Sequence, residues 1–172
     1  MSIDILNSKN DIFQLLLEKL QADIWSKFSS LESSFEWEIG TNFDDLNKRW
    51  FIPIYFTRKD EWNDFTISLQ FDKVNFQELC FGICYEFDPD ESRKKEIKEK
   101  LSKNEALLSL LPEEFKKERD GWWAYWKSFS NDLRNWNSET WAKIPSGQLA
   151  DEIWQEIEPL CKAVTQLDYP KN

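Results

Sequence analysis

The chain reads as an α+β domain, an antiparallel sheet of about five strands covered by about three helices. Three features predict this. Two stretches between residues 65 and 87 alternate apolar and polar side chains with period two, the signature of a strand with one buried face. The connections between neighbouring runs, Arg58–Asn63 and Asp72–Gln77, are short and polar; they fit hairpins, because a parallel crossover needs a dozen or more residues. On either side lie stretches whose apolar residues recur every three or four positions, as in amphipathic helices.

The cleanest strand sets Phe65, Ile67, Leu69 and Phe71 against Thr66, Ser68 and Gln70. The next sets Leu79, Phe81, Ile83, Tyr85 and Phe87 against Cys80, Gly82, Cys84 and Glu86. The run Trp50–Thr57 is apolar on both faces, which predicts a deeply buried strand. Pro53 within it lacks a ladder N–H and predicts an edge position or a bulge. Phe35, Trp37 and Ile39 alternate with Glu36 and Glu38 in a further strand ended by Gly40.

A first helix is expected over about 11–31, capped by Ser8 or Asn10, with Phe13, Leu16, Leu17, Leu20, Ile24, Phe28 and Leu31 inward. Asp88-Pro89-Asp90-Glu91-Ser92 carries helix-start chemistry, since acids suit the positive end of the helix dipole. The helix it opens is expected to reach Leu111, before Pro112, with Ile97, Leu101, Leu108 and Leu111 buried. Glu113–Asp120 is charged and expected at the surface. A last helix from Ser146 or Gly147 places Leu149, Ile153, Ile157, Leu160, Val164 and Leu167 inward, with a kink or break near Gln155–Pro159 because proline removes a helix hydrogen bond and clashes with the preceding turn. The chain shows no internal repeat and no low-complexity segment.

At 172 residues this is one domain, large enough to bury roughly 70% of its unfolded surface without staples. With four Gly, a glycine-rich phosphate loop is excluded. No His is present, which removes histidine triads, HExxH zinc sites and imidazole acid–base catalysis together. No run approaches the roughly 20 apolar residues of a membrane span, and the N-terminus lacks the basic and apolar regions of a signal peptide. Three Cys argue against a disulfide framework. Cys80 and Cys84, four residues apart in one strand, are separated by about 13 Å, beyond disulfide reach. They read as packing residues, and the compartment reads as reducing cytoplasm. Thirty-two acids against 22 bases give a net charge of −10. Because phosphate binding runs through Lys and Arg, this opposes direct contact with nucleic acid. No cofactor and no membrane partner is expected.

Pro89-Asp90 followed by Glu96-Ile97-Lys98 spells a PD…(D/E)xK string, the signature of metal-dependent nucleases. In those enzymes the acids and the lysine lie on adjacent strands. Here Glu96–Lys98 falls within a helix pattern, where residues i and i+2 do not face one another. The string reads as a solvated helix end. Asp88, Asp90 and Glu91 are the candidates for a hard cation, and a hydrolase using them is the alternative reading.

Five of the ten Trp fall in residues 121–141, GWWAYWKSFSNDLRNWNSETW. Trp122–Phe129 fits a fifth strand, with Trp123, Tyr125 and Phe129 on one side and Trp122 and Trp126 on the other; it fits the start of a helix as well. Large aromatics supply core burial, and Trp and Tyr are also enriched at interface hot spots. Trp122, Trp123, Tyr125, Trp126, Trp136 and Trp141 are therefore the candidate protein-binding residues.

The strand ending in Phe81-Gly82-Ile83, the charged helix, the WW-x-Y-W stretch Trp122–Trp126 and the closing amphipathic helix together resemble the C-terminal region of proteins of the PD-(D/E)XK nuclease superfamily. Those are larger bacterial and phage proteins in which a nuclease domain comes first. The resemblance spans about residues 48–167. The chain leaves no room for the nuclease domain, so no catalytic residue carries over. What the resemblance implies is an interaction module standing alone, an inhibitor or accessory factor of a nuclease or defence complex with a protein partner. A third reading, an acidic mimic of DNA, is weakened by the 22 bases interspersed among the acids.

Overall fold

A computed structural model describes residues 2–33, 35–41, 50–59, 65–85, 90–105, 107, 109, 115–119 and 121–166, with the backbone alone for 2–9 and 116–119. It is an α+β structure. Six strands form one antiparallel sheet: β1 (Trp37–Gly40), β2 (Phe51–Arg58), β3 (Phe65–Lys73), β4 (Gln77–Tyr85), β5 (Lys116–Arg119) and β6 (Trp123–Ser128). Their spatial order is β1-β2-β3-β4-β6-β5. Around them lie helices α1 (Ser2–Phe28), α2 (Glu91–Leu101), α3 (Asn131–Arg134), α4 (Ser138–Ala142) and α5 (Gln148–Thr165).

The helices cover one face of the sheet. The alternation in β3 and β4 decides which: Phe65, Ile67, Leu69 and Phe71, with Leu79, Phe81, Ile83 and Tyr85, are all buried in the main core. In register they pair as Phe65↔Tyr85, Ile67↔Ile83, Leu69↔Phe81 and Phe71↔Leu79. Against this face α1 packs Leu17, Leu20, Ile24 and Phe28, and Phe28 stacks on Phe56 of β2 with ring centroids 4.2 Å apart. From α5 come Leu149, Ile153, Ile157, Leu160 and Val164, the expected stripe; Leu167 lies outside the described residues. The hairpin tip between β3 and β4 is stitched to the α3–α4 segment. Phe76 packs edge-on against Phe71 and Trp141, its carbonyl accepts the Trp136 N–H at 3.0 Å, and Glu78 pairs with Arg134.

Several boundaries differ from the sequence reading, each for a physical reason. Helix α1 begins at Ser2 rather than near residue 11, because neither Ser8 nor Asn10 stops a helix whose propagation costs only tenths of a kcal/mol at a polar residue. Helix α2 ends at Leu101 instead of running to Leu111. Asn104 Oδ1 accepts the Leu107 N–H at 2.7 Å, N-cap geometry that starts a new turn and brings Leu107 into the core. Leu108 and Leu111 lie outside the described residues. Helix α5 runs unbroken through Pro159. Pro159 and Gln155, whose carbonyl loses its helix partner, are both exposed, on the side of the helix that faces solvent. Part of the charged segment 113–120 forms the short outer strand β5. Pro53 coincides with a register shift between Phe51 and Ile54 in the β2–β3 ladder, the expected bulge.

Candidate functional site

The outer face of the sheet carries a different population of side chains. Along β3 it presents Thr66, Ser68, Gln70 and Asp72; along β4, Cys80, Gly82 and Cys84. These are small, and bulk comes from the neighbouring strand. Trp123 and Trp126 of β6 pack with Cys80 and Cys84 in a second apolar cluster, separate from the main core. Gly82 makes this possible. A Cβ there would stand 2.0 Å from the Tyr125 carbonyl oxygen and 2.8 Å from the Trp126 Cα, so only glycine lets β6 come this close.

A bulge decides where the tryptophans go. The β4–β6 register shifts between Ile83↔Tyr125 and Cys84↔Trp123. One extra residue on β6 breaks the two-residue period. Trp123 is thereby turned to the outer face with Trp126, whereas simple alternation puts it beside Tyr125. Trp122 stands in the β5–β6 turn, next to Gly121, whose φ of +71° is a conformation glycine adopts freely.

The six residues nominated from the sequence therefore divide. Tyr125 is buried on the helix side, where burial pushes its phenol pKa up. Trp136 is buried, its indole N–H donating to the Leu133 carbonyl at 2.9 Å, and Trp141 packs partly buried against it at 5.1 Å. Trp123 is buried on the outer face and Trp126 half-buried beside it. Trp122 alone is prominently exposed, at 53%.

Trp122 and Trp123 meet residues that the sequence reading did not nominate. With Trp50, Ile52 and Gln70 they line a groove of about 380 Å³, within the range of ligand pockets. Trp50 is 56% exposed and holds φ at +66°. A bulky residue in the left-handed region costs on the order of 1–3 kcal/mol and persists only where the surroundings impose it. Its place at the mouth of β2 and its conformation give no periodic signal, so the sequence marks it only as another strand aromatic. Gln70 donates Nε2 to Asp72 Oδ1 at 3.0 Å, and Asp72 is itself buried. The Cys84 thiol in the same face is pushed up to about 12, by burial first and then by the Asp72 charge, against a hydrogen bond from Ser68. At that value it stays protonated and unreactive at neutral pH. A second groove of about 350 Å³ at the end of α1, between Trp25 and Thr165, is lined by a mixture of serines, charged groups and aromatics.

The acidic candidates sit elsewhere. Asp88 lies outside the described residues. Asp90 caps α2, its Oδ1 accepting the Arg93 N–H at 2.8 Å, and Glu91 pairs with Lys94 at 3.2 Å. Glu96 is held by Lys100 and by Arg93, which keep its carboxyl below the ordinary range. Among the described residues no three Asp, Glu, His or Cys come together as metal ligands. Among the described residues, several surface acids are matched by a base on the same helix, as in Lys19–Asp23, Glu96–Lys100 and Glu158–Lys162. Among the described residues no helix is long and apolar enough to cross a membrane. Comparison with family models, with curated proteins and with solved structures finds no match to this chain.

Proposed function

We propose that the protein is a non-enzymatic, intracellular binding module that engages a protein partner through the aromatic groove on the outer face of its sheet. The single observation that carries this reading is the pairing of two prominently exposed indoles, Trp50 and Trp122, on one concave surface. Exposed Trp is unfavourable in water, and burying it at an interface recovers that cost; truncating such an anchor typically costs about 2 kcal/mol or more of binding. The lack of His, and acids engaged in capping and pairing α2, support binding over catalysis. The resemblance to the C-terminal region of PD-(D/E)XK proteins suggests where to look for the partner, in a nuclease or defence complex.

The test is to isolate what co-purifies with the tagged full-length chain and to measure its affinity for Trp122→Ala and Trp50→Gly. Glycine suits the positive φ at position 50, so the second change removes the indole without adding strain. Each variant should bind roughly 30-fold more weakly, the equivalent of about 2 kcal/mol. Unchanged affinity in both would move the interface off this groove.

A further inference from the structure

The chemistry of the groove narrows what the partner presents to it, an inference that rests on the binding-module reading and supplies its ligand class. Indole faces carry the negative lobe of the ring quadrupole and attract a cation lying within about 6 Å. Trp50 and Trp122 bring two such rings, both more than half exposed, to one groove, against a wall that includes the buried Trp123. The groove also has a directed acceptor. A carboxylate can only accept, so one N–H of the Gln70 amide is engaged by Asp72, which fixes the amide's orientation and leaves Oε1 as an acceptor for a ligand. Among the described residues, none that lines the groove is charged. The whole chain carries −10, a field that draws cations in and repels phosphates.

We propose that the groove receives a cationic side chain, arginine foremost, from an extended segment of the partner protein. The guanidinium plane stacks on the exposed indoles while one of its N–H groups donates to Gln70 Oε1. Arginine suits this better than lysine because its planar, weakly hydrated head stacks on aromatic faces and keeps donors free at its edge.

The experiment uses the full-length protein and three blocked pentapeptides, identical except for a central arginine, citrulline or proline. Binding is followed by indole fluorescence and by the NMR signals of the indole N–H groups. The arginine peptide should shift the Trp50 and Trp122 signals and leave Trp136 unmoved. Citrulline keeps the shape and loses the charge, so it should bind about tenfold more weakly. Added salt should weaken the arginine peptide and leave the proline peptide unaffected. Trp122→Leu, a change at an exposed turn, should lower the arginine peptide's affinity several-fold. Equal binding of arginine and citrulline, preference for proline, or indifference to Trp122→Leu would overturn the cationic ligand. So would the failure of every peptide to shift either indole. In each case the binding-module reading is judged separately, by the affinity of Trp122→Ala for the co-purified partner.

Discussion

Leu69 shows how directly one residue follows from its neighbours. It sits in the cleanest alternating strand, faces Phe81 across the ladder and is fully buried. Leu69→Ala should destabilise the protein by about 2–5 kcal/mol in denaturant melts, the lost transfer energy plus the cavity left behind. A loss under about 1 kcal/mol would mean that the site collapses around the smaller side chain. Glu78 gives a pH signature. Burial pulls its carboxyl up, but hydrogen bonds and charge from Arg134 and Lys73 outweigh that and hold it below its ordinary 4.5. A carboxyl depressed in the folded state stabilises above its unfolded-state value, and the contribution is lost as pH falls through the folded value. Stability measured from pH 6 down to pH 3 should therefore fall, and Glu78→Gln should flatten part of that fall. An unchanged slope in the variant would show that Arg134 and Lys73 do not stabilise this carboxylate.

At the level of elements, the alternating strands and the apolar helix stripes were legible because each has one buried face and one polar face, which the period reports directly. What escaped were the interruptions. A bulge adds a residue to one strand without changing composition, so nothing in WWAYW announces that Trp123 and Tyr125 part company. Asn104 reads as another polar residue of a long helix until its side chain is seen capping Leu107. Proline at 159 predicts a kink or break by its intrinsic cost, yet α5 continues through it on its exposed side. Gly82 is the element-scale device with the sharpest consequence. Gly82→Ala adds one methyl against β6 backbone, which cannot rotate away as a side chain does. The strain should cost about 1–3 kcal/mol of stability. It should also displace Trp123 and Trp126, visible as a change in near-ultraviolet circular dichroism. Wild-type stability and an unchanged spectrum would mean that β4 and β6 separate at little cost.

For the whole molecule, the sheet keeps two kinds of aromatic surface apart. The helix-covered face takes Tyr125, Trp136 and phenylalanines such as Phe56, Phe71 and Phe81 into the core, with Trp141 packed against it; the outer face gathers Trp50, Trp122 and Trp123 around a groove. Half of that site was legible, as an aromatic stretch near residue 122. The other half was not, because Trp50 and Gln70 reach it only through the β2–β3–β4–β6 strand order, which no local pattern encodes. The separation is tested most directly by pairing two alanine variants and measuring both melting and affinity for the co-purified partner. Trp136→Ala should lose about 3–5 kcal/mol of stability, as a buried aromatic does. Trp122→Ala should stay within about 0.5 kcal/mol of wild type in the melt. The same variant should lose roughly 30-fold in partner affinity. If Trp122→Ala unfolds the protein as Trp136→Ala does, or stays folded and binds like wild type, the division into core and binding surface is contradicted.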